Sequence, residues 1–154
     1  WAHNLHVSNI YHLKKRNRNS ILTAGGVLKK QLADKYFIIG QDFEKGSFNA
    51  YHRVNFIKRK KGEENINDFK LEAVSVGSNT RTIGNEFKDV KKTILFVRLS
   101  DISEKRIEKI YIHNIGAVYY APRKKNKRTG LYLEHGVFDG IILVKDTKAT
   151  ALLE

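Results

Sequence analysis

The chain has no cysteine and no methionine among its 154 residues, one tryptophan and one proline. Without cysteine there is neither a disulfide framework nor a thiolate zinc site. The single proline, Pro122, stands immediately before a run of basic residues. No apolar run approaches the roughly 20 residues needed to span a bilayer, and no secretory signal is visible, so a cytoplasmic chain is expected. The lack of methionine, together with a histidine pair at the very first residues, leads us to expect the second part of something longer.

What is present describes one ordinary globular domain. Hydrophobic residues make up 41%, with eight Phe and seven Tyr, enough for a real core. Lys and Arg outnumber Asp and Glu by 29 to 16, a formal charge of +13. The excess sits in three clusters: Lys14, Lys15, Arg16 and Arg18; Lys58 to Lys61; and Arg123, Lys124, Lys125, Lys127 and Arg128. A nucleic-acid binder would use such clusters to neutralise phosphates. All three, however, lie in polar stretches between apolar segments, where charge runs are usually solvated loops. No RNA-binding signature or helix-turn-helix pattern accompanies them. The loop reading is favoured, and a basic polyanion-binding module is the alternative.

Along the chain, apolar runs alternate with helical patterns. Ser20 is a candidate N-cap for a helix carrying Ala24, Leu28 and Leu32 to about Lys35. Gly25 and Gly26 weaken that helix intrinsically, each by roughly 1 kcal/mol against alanine, but let its first turn approach a neighbouring backbone. Tyr36 to Gly40 reads as a strand covered on both faces. Gly40 to Ala50 is a glycine-rich turn region, and Lys58 to Asp68 a hairpin turn or exposed loop. Phe69 to Ala73 alternates like a half-exposed strand, Ile83 to Val90 forms a short helix, and Thr93 to Leu99 is a strand. Asp101 or Ser103 caps a helix carrying Ile107 and Ile110, which stops by Gly116. Ala117 to Tyr120 and Phe138 to Val144 are further strands. The fold class that follows is α/β: a layered α/β/α arrangement with a largely parallel sheet, incomplete in this chain.

The residues with most chemical content are His3 and His6. Histidine is the side chain most readily moved across neutral pH, and a strand end opening into a loop is where α/β sheets place their sites. On a strand the two would face opposite sides; on a helix they would share one. Asn4 between them can polarise a carbonyl or fix an imidazole tautomer. A zinc site would need a third ligand, and none stands at a recognisable spacing, so no metal is expected. His12, His52, His113 and His135 read mostly as surface histidines. No Gly-x-Ser-x-Gly elbow exists, and Ser47 reads as a turn residue. Asp42 and Glu44 could bind a polar substrate group, but read more readily as solvated turn carboxylates. No glycine pattern cradles a phosphate.

At this point the residues resemble a specific family. Trp1-Ala-His-Asn-Leu-His-Val7 is similar to the histidine motif of the erythromycin esterase-like family. The segments Gly25-Gly26-Val27-Leu28, Tyr36 to Phe43, Gly46 to Ala50 and Phe138 to Ile142 follow in the family's order. An Ala24-Gly25 pair stands where the family usually has Met-Gly. The resemblance implies a hydrolase that cleaves an ester, the lactone of macrolide antibiotics or a related substrate, through a histidine general base acting on water, with no cofactor. That base and its partner glutamates lie in the amino-terminal half of family members. What carries over is His3, with His6, as site residues orienting water or the ester carbonyl, and Asn4 at the substrate. The partners implied are a small-molecule ester and the missing amino-terminal half, without which this chain is expected to be inactive.

Overall fold

A computed structural model describes residues 3–9, 23–53, 66–78, 81–107, 110–113, 115, 117–119, 130–133 and 136–151. All three basic clusters, Trp1 and Ala2, the Ser20 cap, His12 and His135 lie outside the described residues.

The centre of the structure is a 15-residue strand, β1 (Ile39–Arg53). Around it stand β2 (Phe69–Val76), β3 (Ile94–Arg98), β5 (Val118–Tyr119) and β7 (Gly140–Thr147), in the order β2-β1-β7-β3 with β5 also on β1. The pairs β1–β7 and β1–β5 are parallel, whereas β1–β2 and β3–β7 are antiparallel. A separate two-stranded ribbon joins β4 (Tyr111–His113) to β6 (Gly130–Tyr132). The α/β class thus stands, but the sheet is mixed, not largely parallel. Partner choice between distant strands decides direction, and no local pattern records it.

The expected turn from Gly40 to Ala50 does not exist, because β1 runs straight through it. Gly46 explains both the expectation and the outcome. Its φ of +137° is open to glycine alone, and it pairs with Val76 on one edge and Thr147 on the other. A Cβ at Gly46 would run into the main chain of Thr147. Beyond Gly46, β5 takes over the edge that β7 occupied, since Tyr51 and His52 pair with β5 and β2 at once. Phe43 and Phe48, five residues apart, would face opposite sides of a regular strand, yet their rings lie 5.9 Å apart. The irregular residue between them breaks the alternation.

One face of the sheet is core. Ile141 and Leu143 from β7 and Val97 from β3 pack there with Ile38, Ile83, Ile107 and Ile112. Each such side chain contributes about 1.5–3 kcal/mol on burial. The opposite face is open. Ile39, Phe96 and Ile142 are exposed there in neighbouring strands, with Ile94 beside them and the Phe37 ring 6.3 Å from that of Phe96. The strand expected from Tyr36 thus begins only at Ile39, and it is covered on one face only among the described residues.

Helix α2 (Ala24–Leu32) starts at Thr23, whose hydroxyl accepts from Gly26 N–H at 3.1 Å and donates to the Ser8 carbonyl. A Cβ at Gly25 or Gly26 would strike the main chain of Val7 or Asn9, so the paired glycines do permit a close backbone approach. Lys29 fastens this helix to the sheet, bonding the Tyr36 carbonyl at 2.8 Å and both Asp139 carboxylate oxygens at 3.0 Å. The short helices α3 (Ile83–Glu86) and α4 (Glu104–Ile107) seat Ile83 and Ile107 in the core.

Candidate functional site

His3 stands in extended conformation as the chain turns into a short helix, α1 (Asn4–Val7), and the strand expected to end here would lie on Trp1 and Ala2, outside the described residues. His3 is the N-cap of α1: its Nδ1 accepts from Leu5 N–H at 3.2 Å, and its carbonyl accepts from His6 N–H at 2.8 Å. With Nδ1 used as an acceptor, the neutral ring carries its proton on Nε2. His3 therefore presents a hydrogen-bond donor. One turn brings the His6 ring edge-on to it, with centroids 6.1 Å apart, and leaves His6 exposed in the last turn.

Asn4 joins this helix to the sheet. Its Nδ2 donates to the Gln41 carbonyl at 2.6 Å and its Oδ1 accepts from Gln41 N–H at 2.9 Å. The amide thus takes the place of a neighbouring strand on the edge of β1 that β2 does not reach. Asn9 adds a second clamp, bonding the carbonyls of Val137 and Gly136. The structure brings His3, Asn4 and His6 together at the edge of β1, beside Gln41.

The next residue of β1 belongs to a unit that spacing does not reveal. Asp42 is buried, its carboxylate wholly so. Oδ1 accepts from the main-chain N–H of His113 at 3.1 Å and meets His113 Nδ1 at 2.9 Å. The His113 ring lies flat on Phe43, centroids 4.7 Å apart and planes within 9°. Phe43, Phe48 and Tyr119 continue the row of rings. Burial pushes the Tyr119 phenol above its usual 10.0. Neither Asp42 as a solvated turn residue nor His113 as a surface histidine is what the fold makes of them. The alternation Ile38, Gly40, Asp42 marks Asp42 as inward-facing once the strand is known to continue; His113, 71 residues on, gives no local sign.

Glu44 is largely buried too, paired at 2.5 Å with Lys145, whose ammonium also holds the carbonyls of Phe87 and Lys88. Ser47 is a strand residue whose hydroxyl accepts from Ala149 N–H. Among the described residues no group of three or more His, Asp or Glu is placed to hold a metal ion, and no helix is long and apolar enough to cross a membrane.

Residues 1–147 match the erythromycin esterase family. The chain belongs to that family. No curated protein matches it. A crystal structure of a Bacillus cereus protein superposes with a TM-score of 0.70 at 16% identity, covering 100% of this chain and 34% of that one. A succinoglycan biosynthesis protein superposes with a TM-score of 0.64 at 17% identity, covering 96% of this chain and 32% of its own. At such identities these likenesses concern the fold. The esterase-family chain spans about a third of the length of both structures.

Proposed function

We propose that this erythromycin esterase family member carries part of a hydrolase site that cleaves an ester, a macrolide lactone or a related substrate, by general-base activation of water. The observation that supports it is the state of His3. A capping bond leaves its Nε2–H as a donor, and the Asn4 clamp ties the helix that bears it to the central strand. An ester carbonyl developing negative charge requires such a fixed donor. His6 stands beside it as the second imidazole that orients water, and Asn4 serves the substrate by holding both rings in place.

The general base lies in a further, amino-terminal portion, which covers the open sheet face of Ile39, Ile94, Phe96 and Ile142. A contiguous apolar face of this kind is unusual on a free monomer, and the two structural relatives are about three times as long. This chain alone therefore turns over little or no ester. The test is hydrolysis of a macrolide and of a p-nitrophenyl ester by the chain alone and by the chain joined to a family amino-terminal portion. Turnover by the joined protein that falls at least tenfold in His3→Ala is expected. Turnover by the chain alone that His3→Ala abolishes would show that no other portion supplies the base.

A further inference from the structure

We propose that His113, oriented by Asp42, presents the lone pair of its Nε2 as a fixed proton acceptor for an O–H group, a water or an alcohol. The inference takes its catalytic meaning from the hydrolase reading, but its geometry is independent of it.

Three contacts leave the ring one free atom. The main-chain N–H of His113 donates to Asp42 Oδ1 at 3.1 Å, which fixes the backbone. The same oxygen faces Nδ1 at 2.9 Å; a carboxylate there requires a proton on Nδ1, so the lone pair of the neutral ring resides on Nε2. Phe43 holds the plane of the ring. Among the described residues Nε2 has no hydrogen bond, and it is not one of the buried side-chain atoms that lack a partner, which are Asp42 Oδ2, Asn49 Oδ1 and Thr147 Oγ1. The His113 side chain keeps 6% of its surface exposed.

The second Asp42 oxygen bears on the assignment. Among the described residues Oδ2 is buried without a partner, an unfavourable arrangement that an apolar residue at position 42 would avoid. Structure alone gains little from this carboxylate; an imidazole held in one tautomer gains its orientation. His3 and His113 then stand in opposite states. His3 reaches β1 through Asn4 at Gln41, and His113 reaches it at Asp42, the adjacent residue. One offers Nε2–H and the other an Nε2 lone pair, a donor and an acceptor of the kinds that water-mediated ester cleavage uses. Asp42 is the positioning residue of this pair, and His113 the group that would meet the ligand.

The experiment reads the ring directly. Long-range 1H–15N correlation on the 15N-labelled chain is expected to show His113 protonated on Nδ1, and diethylpyrocarbonate is expected to carbethoxylate it at Nε2. In Asp42→Ala Nδ1 loses its acceptor, so the Nδ1–H tautomer should no longer dominate, while His6 reacts as before. A wild-type ring protonated on Nε2, or a tautomer unchanged in Asp42→Ala, overturns the proposal whatever the ester assays show. If the joined protein has no esterase activity but the ring behaves as described, the hydrolase reading fails and the acceptor stands. If the joined protein is active, an unchanged kcat in His113→Gln removes His113 from the reaction.

Discussion

Asn4 engages Gln41 as if it were a strand, its amide giving one hydrogen bond to the Gln41 carbonyl and taking one from the Gln41 N–H. Two main-chain groups on an otherwise open edge of β1 depend on one side chain. Asn4→Ala leaves both unpaired and is expected to lower stability by about 1–3 kcal/mol in urea denaturation. Asn4→Asp keeps the acceptor but sets a carboxylate against the Gln41 carbonyl, and should cost at least as much. Equal stability in all three proteins would show that α1 is not held by this clamp.

Gly25 meets the main chain of Val7 so closely that no Cβ fits between them. Backbone cannot swing aside as a side-chain tip can, so Gly25→Ala is expected to cost about 1–3 kcal/mol despite the better helix propensity of alanine. Val27→Ala, on the exposed side of the same helix, is the control and should lie within about 0.5 kcal/mol of wild type.

Ala33 ends α2 with φ 47° and ψ −122°, a region that an L side chain occupies at a cost of about 1–3 kcal/mol. Glycine removes that strain and returns part of the gain as unfolded-chain entropy. Ala33→Gly should therefore stabilise the protein by about 1 kcal/mol, a rise in Tm of about 2–4 °C for a chain of this size. A fall in Tm would mean the residue is not held at positive φ.

Tyr119 sits edge-on to Phe48, and its desolvated phenol holds its proton beyond the usual value of 10.0. Because the folded pKa lies above the unfolded one, the stability linked to this group is fully present below about pH 10. It is lost as pH rises through the folded value. In a 295 nm absorbance titration Tyr119 should be a late component, missing from Tyr119→Phe. A titration of unchanged shape in that variant would contradict the assignment.

Ile94 and Phe96 are 64% and 54% exposed on the open face of the sheet. Replacing Ile94 with Lys should keep thermal stability within about 0.5 kcal/mol, whereas Phe96→Lys also lifts a ring off Gly140 and away from Phe37 and should cost more. The same changes should reduce binding of an apolar fluorescent dye and weaken association with an amino-terminal portion supplied separately. Undiminished association would place that portion elsewhere.

Local pattern carried some of this structure and not the rest. The paired glycines of α2, the alternation of β2 and the apolar runs of β3 and β7 were readable because each reflects its own neighbours. β1 was not, because Gly40 and Gly46 look like turn residues until their partners are known. Gly40 lies against the Ile141 and Phe138 side chains, and Gly46 against Thr147. β4 and β6, at three residues each, are too short for periodicity to register. At the site, the motif singled out His3, Asn4 and His6, but not that Asn4 is an anchor. Asp42 and His113 are brought together by topology alone.

The position of β7 also governs when this protein can fold. Ile38 bonds to Asp139, 101 residues further along, and the β1–β7 ladder begins at the next pair. A chain emerging from the ribosome has finished β1 long before its parallel partner exists. Until then an edge bearing Ile39 and Phe43 waits without its neighbour, open to other chains. Such distant pairing makes folding slow, and a nascent chain stopped short of residue 140 would lack the middle of its sheet.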